Sequence, residues 1–187
     1  VTTGDLFHRL APYGSDSGAT FSACRKYRYR LWRAWGDREK RCCFIGLNPS
    51  TADELEDDPT IRKCIGFAKR WGFGAYDMLN LFGWRSTNPL GLLTTPDPIG
   101  PENRAVVAET IRNAKRVVLA WGSHDRRVRE LVRALIKGNT APTVTPMPWG
   151  IVPPLGVEVG TLGRNDDGSP KHPLMLAYAL PFQRIAA

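Results

Sequence analysis

The stretch Arg41-Cys42-Cys43-Phe44-Ile45-Gly46-Leu47-Asn48-Pro49-Ser50 decides how this chain folds. It is an apolar run of strand length that ends in Asn-Pro. An unbroken apolar run marks a strand buried on both faces, as in parallel sheets covered by helices. Pro49 forces extended backbone on Asn48. Gly46 lets another group approach the main chain closely. Two further apolar runs end in the same manner. Tyr76 to Phe82 contains Asn80 and leads into Gly83-Trp84-Arg85; Arg116 to Trp121 leads into Gly122-Ser123-His124. Polar side chains therefore gather at one edge of the sheet, where open α/β folds bind ligands.

Helical patterns separate these runs. Asp58 caps a helix with Pro59 in its first turn, Ile61, Cys64, Ile65 and Ala68 make its apolar face, and Gly72 and Gly74 end it. Pro101 starts a second helix reaching about Asn113. Ser123 caps a third, with Val128, Leu131, Val132, Leu135 and Ile136 as its stripe and Gly138 as its stop. Proline-rich residues 139–156 form an irregular crossing, and 157–162 form the last strand. The expected architecture is a three-layer α/β/α sandwich on a central, mainly parallel four-stranded sheet. Residues 1–187 make one domain. Its first 40 residues are an extension, irregular over 1–20 and bearing a basic strand at 25–35.

The formal net charge is +8, which suits a polyanion or serves solubility. In the basic strand, alternation puts Arg28 and Arg30 on one face and Tyr29 and Leu31 on the other. This pattern describes either a cationic face free for phosphate or an edge strand protected by charge. No run is apolar enough to span a bilayer, and Val1 to Leu10 lack the apolar centre of a signal peptide, so the expected setting is cytoplasmic, without membrane contact. The cysteines Cys24, Cys42, Cys43 and Cys64 include no Cys-x-x-Cys pair. They read as reduced thiols, with no metal and no cofactor expected.

The ordered set Gly46-Leu47-Asn48-Pro49-Ser50, Asn80-Leu81-Phe82-Gly83-Trp84-Arg85, Val117 to Gly122 and Lys171-His172-Pro173-Leu174 resembles the uracil-DNA glycosylase superfamily. The likeness runs from about residue 41 to 176 and is nearest to the mismatch-specific type, by way of a bacterial branch sharing Gly-Leu-Asn-Pro-Ser, Asp-Asp-Pro-Thr and His-Pro-Leu. The resemblance implies hydrolysis of the bond between a flipped-out base and its deoxyribose, leaving an abasic site. It implies that Asn48 places the water, with Asp53 and Asp58 as competing carboxylates and Asp58 also the helix cap. It implies that His172 donates a hydrogen bond to the leaving base. Gly46, Leu47, Ser50, Asn80 and Trp84 would surround the base, Asn80 presenting a donor and an acceptor in one plane. DNA backbone or groove contacts fall to Arg28, Arg30, Arg85, Ser123, His124, Arg164, Lys171, Pro173 and Leu174, with Leu174 or Met175 as the wedge. Trp71, Phe73, Trp84 and Trp121 are either stacking partners or core.

One departure bears on substrate. Strict uracil enzymes carry an aromatic residue after the motif proline, blocking thymine's methyl; here that residue is Ser50. Space beside C5 implies a C5-substituted pyrimidine, such as a hypermodified phage base. A uracil or mismatch repair enzyme, and a non-catalytic nucleic-acid-binding module, are the alternatives. The expected partner is DNA, double- or single-stranded, and the expected state is a monomer.

Overall fold

The computed structural model describes residues 16–137 and 147–185. The expectations for residues 1–15, for the Gly138 stop and for the first part of the proline-rich crossing lie outside the described residues. The strands are β1 (Ser17–Phe21), β2 (Arg28–Ala34), β3 (Arg41–Gly46), β4 (Ala75–Asn80), β5 (Arg116–Leu119), β6 (Glu158–Thr161) and β7 (Gln183–Arg184). The helices are α1 (Pro59–Arg70), α2 (Asn103–Arg112) and α3 (Arg126–Lys137).

All seven strands form one mixed sheet in the order β1-β2-β4-β3-β5-β6-β7. This corrects the expected four-stranded sheet. The apolar runs read from the sequence do pair in parallel, as β4-β3-β5-β6. The antiparallel pairs β1–β2, β2–β4 and β6–β7 extend that centre on both sides. β1, Ser-Gly-Ala-Thr-Phe, and the two-residue β7 lack the unbroken apolar run that marks a buried strand.

Alternation along β3 builds two cores. Cys42 and Phe44 pack with Ile61, Cys64, Phe67 and Ala68 of α1. Cys43 and Ile45 pack on the opposite face with Val107 and Ile111 of α2 and Val128, Val132 and Leu135 of α3. α1 starts as its sequence dictates. Asp58 Oδ1 accepts from the Ile61 N–H at 2.9 Å, and Pro59 occupies the first turn. α3 begins later than expected. Asp125 accepts from the Arg127 N–H and so caps it, whereas Ser123 Oγ donates to Asp167 Oδ2 at 2.6 Å.

The basic strand is interior, which removes both readings offered for it. β2 lies between β1 and β4, so it is not an edge, and Arg28 and Arg30 are 2% and 3% exposed. Nor do the two share a face. The β1–β2 register slips at Thr20/Phe21, so that Thr20 faces Arg30 while Phe21 faces Arg28. Such a bulge inserts one extra residue and re-aims the side chains beyond it. Arg30 bonds Asp77, which the Cys43 thiol also contacts on the α2/α3 side. Arg28 turns to the α1 side and bonds the Ala52 carbonyl at 2.6 Å.

Candidate functional site

The C-terminal ends of β3, β4 and β5 open onto a cavity of about 150 Å³. Among its lining residues are Arg28, Gly46, Asn48, Ser50, Asp58 and His172. Leu47, Trp121 and His124 also reach it. Drug-sized pockets run about 300–1,000 Å³, so this one holds a single ring with a small substituent.

Asn48 is fixed by its amide nitrogen, which donates to the carbonyls of Ser86 at 2.7 Å, Pro49 at 3.1 Å and Trp84 at 3.5 Å. These bonds tie the loop after β3 to the loop after β4. They leave Oδ1 as the atom that can face a ligand or water.

His172 arrives from the far end of the chain. Gly122 N–H donates to the Pro170 carbonyl at 3.0 Å, and Lys171 N–H to the Gly163 carbonyl at 2.9 Å. Gly122 has φ 78°, and a Cβ there would stand 3.0 Å from His172 Cβ, so glycine permits both the turn and the close approach. The Leu174 N–H points at His172 Nδ1 at 3.4 Å. Nδ1 is therefore the acceptor, and the ring proton sits on Nε2. Burial, then the neighbouring His124, pull the His172 pKa below its ordinary value, against an opposing pull from Asp58. The ring is held as a neutral donor.

Asn80 is wholly buried, and neither atom of its side-chain amide has a partner among the described residues. Orphaned buried amides are rare in native proteins. This one pairs in register with Gly46. A Cβ at Gly46 would lie 3.0 Å from Asn80 Oδ1 and 2.5 Å from Met78 Cε, and both Gly46 and Met78 line the cavity.

Other expected residues stand elsewhere. Asp53 lies outside the lining. Its Oδ1 accepts from the Leu55 and Glu56 N–H groups, which hold its carboxyl below the usual range. Trp84 packs edge-on against Tyr27, with ring centroids 5.4 Å apart, and contributes only its carbonyl to Asn48. Trp71 and Phe73 pack against the α1-side core, whereas Trp121 reaches the cavity. Arg85 lies over the Phe21 ring and bonds the Arg25 carbonyl. Arg164 bonds the Gly168 carbonyl on the wall of a larger neighbouring cavity of about 240 Å³, which shares Trp121 and His124 but lacks Asn48, Ser50 and His172. His124 Nε2 bonds the Trp121 carbonyl. Lys171 is half-buried and Pro173 is buried, while Leu174 and Met175 are 38% and 89% exposed. Those last two put apolar side chains at the surface directly beyond His172.

Sequence reading missed Arg28 as a cavity wall, because its placement depends on the bulge. It also gave Asp58 too small a part. A cap at the start of a helix that follows a strand's C-terminal end sits at the ligand-binding edge by construction, so that signal was present.

Among the described residues, no helix is long and apolar enough to cross a membrane. None of their His, Cys, Asp and Glu side chains gather in threes at metal-binding spacing. Residues 28–174 match the family model described as "Protein of unknown function (DUF1643)". The chain belongs to that family. No curated protein and no solved structure matches it.

Proposed function

We propose that this DUF1643 member is a DNA glycosylase that excises a C5-substituted pyrimidine. One observation carries the reading: Asn48 and Ser50, from the loop after β3, and His172, from the far end of the chain, line one cavity of base size. Asn80, expected to read the base edge, is buried behind Gly46 and lies outside the cavity lining, so it does not carry the reading. The superfamily assignment and its fold type belong to this proposal, as do DNA as partner and a monomeric state.

In this mechanism the C1′–N1 bond of a flipped-out nucleotide breaks and its electron pair leaves with the base. Nε2–H of His172 donates to the base oxygen where negative charge develops. Water held by Asn48 Oδ1 adds to C1′ of the oxocarbenium-like sugar, and the proton it loses passes through solvent to the departing base anion, leaving a neutral free base and an abasic site. No strong base is required, because the sugar cation is the electrophile. Leu174 and Met175 take the place of the extruded base in the stack, as apolar wedges do.

The test is a panel of DNAs containing uracil, thymine or C5-modified pyrimidines, scored for alkali-labile abasic sites. Release of a C5-modified base is the expected result; release of uracil alone supports the repair reading. If no base leaves any DNA, the glycosylase reading is wrong. Ser50→Tyr separates the two substrate readings. Its ring would fill the space beside C5, abolishing release of a C5-modified base and sparing uracil. Equal effects on both substrates would show that Ser50 does not face C5.

A further inference from the structure

We infer that Arg28 and Asp58 form a reading pair for a hydroxyl-bearing substituent, so that the cavity selects a 5-hydroxymethyl pyrimidine over its 5-methyl counterpart. This rests on the base-binding reading of the cavity and names the substituent that it takes.

Among the described residues no carboxylate makes a salt bridge to the buried Arg28, and the strongest charge attracting it is that of Asp58. Nη1 is its one bonded side-chain nitrogen among the described residues, to the Ala52 carbonyl, and Nε is buried with no partner. A guanidinium in such a place is disfavoured unless further acceptors reach it. Burial pulls its pKa down to about 10, which still leaves it charged at neutral pH. Asp58 lines the same cavity. Its Oδ1 is committed to the Ile61 N–H, and Oδ2 is left over. The lining thus offers a charged donor and a charged acceptor together with Ser50, the residue that leaves C5 open.

That combination sorts substituents by chemistry. An anionic group would suit Arg28 and be repelled by Asp58. A cationic group meets the reverse. A methyl offers nothing to the unbonded Arg28 Nε or to Asp58 Oδ2. A hydroxyl accepts from Arg28 and donates to Asp58 with one oxygen. The cavity volume admits a substituent of that size and little more.

The experiment is calorimetric titration with free bases, which have no bond to cleave: 5-hydroxymethyluracil against thymine, and 5-hydroxymethylcytosine against 5-methylcytosine. Hydrogen bonds to charged groups predict about 10- to 100-fold tighter binding of the hydroxymethyl member of at least one pair. Asp58→Ser retains a helix cap while removing the free carboxylate oxygen. Arg28→Met removes the charge at similar volume. Each should bring the paired bases toward equal affinity. Should Arg28→Met fail to fold, Asp58→Ser carries the test. Equal affinities in the wild type, no binding of either member, or a preference surviving both substitutions would overturn the inference. A preference for the free hydroxymethyl base with no abasic sites on any DNA would sink the glycosylase reading alone. Base release with no such preference would sink the reading pair alone.

Discussion

His172→Ala lowers base release from DNA by about 100- to 1,000-fold, the usual effect of removing one donor aimed at charge that appears in the transition state. DNA binding before cleavage is expected to hold, because the lost interaction strengthens only as the glycosidic bond breaks. Among the described residues Nδ1 accepts one long hydrogen bond, from Leu174, so the loss of stability should be about 1 kcal/mol. The pH dependence gives a second, independent check. Burial and His124 depress the His172 pKa, and the neutral Nε2–H form is the useful one. Single-turnover base release should therefore stay level as pH falls through about 6.5, the ordinary histidine value, and decline only below it. The stability linkage has the same sign. A histidine whose folded-state pKa is depressed contributes fully above its unfolded value, and that contribution fades as pH falls toward the folded one. A wild-type rate in the alanine variant, or an acid limb centred at or above the ordinary value, would remove His172 from this role.

What the sequence made legible follows from where each signal resides. Arg41 to Ser50 displays its burial in its own composition, so the central strand and the turn at Asn48 could be read directly. The same holds for β4, β5 and α1. Asp58 and Pro59 mark the start of α1, and its buried residues recur at helical spacing. β1 and β7 announce nothing, because neighbouring strands decide their pairing. Arg28 and Arg30 illustrate the limit most clearly. Alternation assigns them one face, and a single-residue register slip opposite Thr20/Phe21 sends them to two. No local property of Arg-Tyr-Arg encodes that slip. Asn48 was visible as a turn residue, but its bonds to the Trp84 and Ser86 carbonyls are tertiary and become visible only when two strand ends meet.

The largest loss of stability is expected from Asp77→Asn. Asp77 is fully buried in β4, with Oδ1 2.7 Å from Arg30 Nε and Oδ2 2.9 Å from Arg41 Nη1. Both arginine side chains are nearly inaccessible, at 4% and 2% exposure. An amide preserves the shape but cannot neutralise two guanidinium groups. Breaking such a buried network strands charge in the interior and costs about 3–5 kcal/mol. Domains are commonly stable by only about 5–15 kcal/mol. For a chain of this length each kcal/mol moves Tm by about 2–4 °C, so calorimetry should record a fall of about 6–20 °C. Replacing all three partners with apolar residues of similar volume should recover much of the loss, because the penalty comes from the stranded charges more than from lost attraction. A single substitution that leaves Tm unchanged would mean that water or rearranged side chains satisfy both arginines without the carboxylate. The triad also bears on the site. It joins β2, which carries Arg28, to β3 and β4, which carry Gly46 and Asn80. A folded Asp77→Asn protein should therefore bind free pyrimidine bases more weakly, even though Asp77 lies outside the cavity lining.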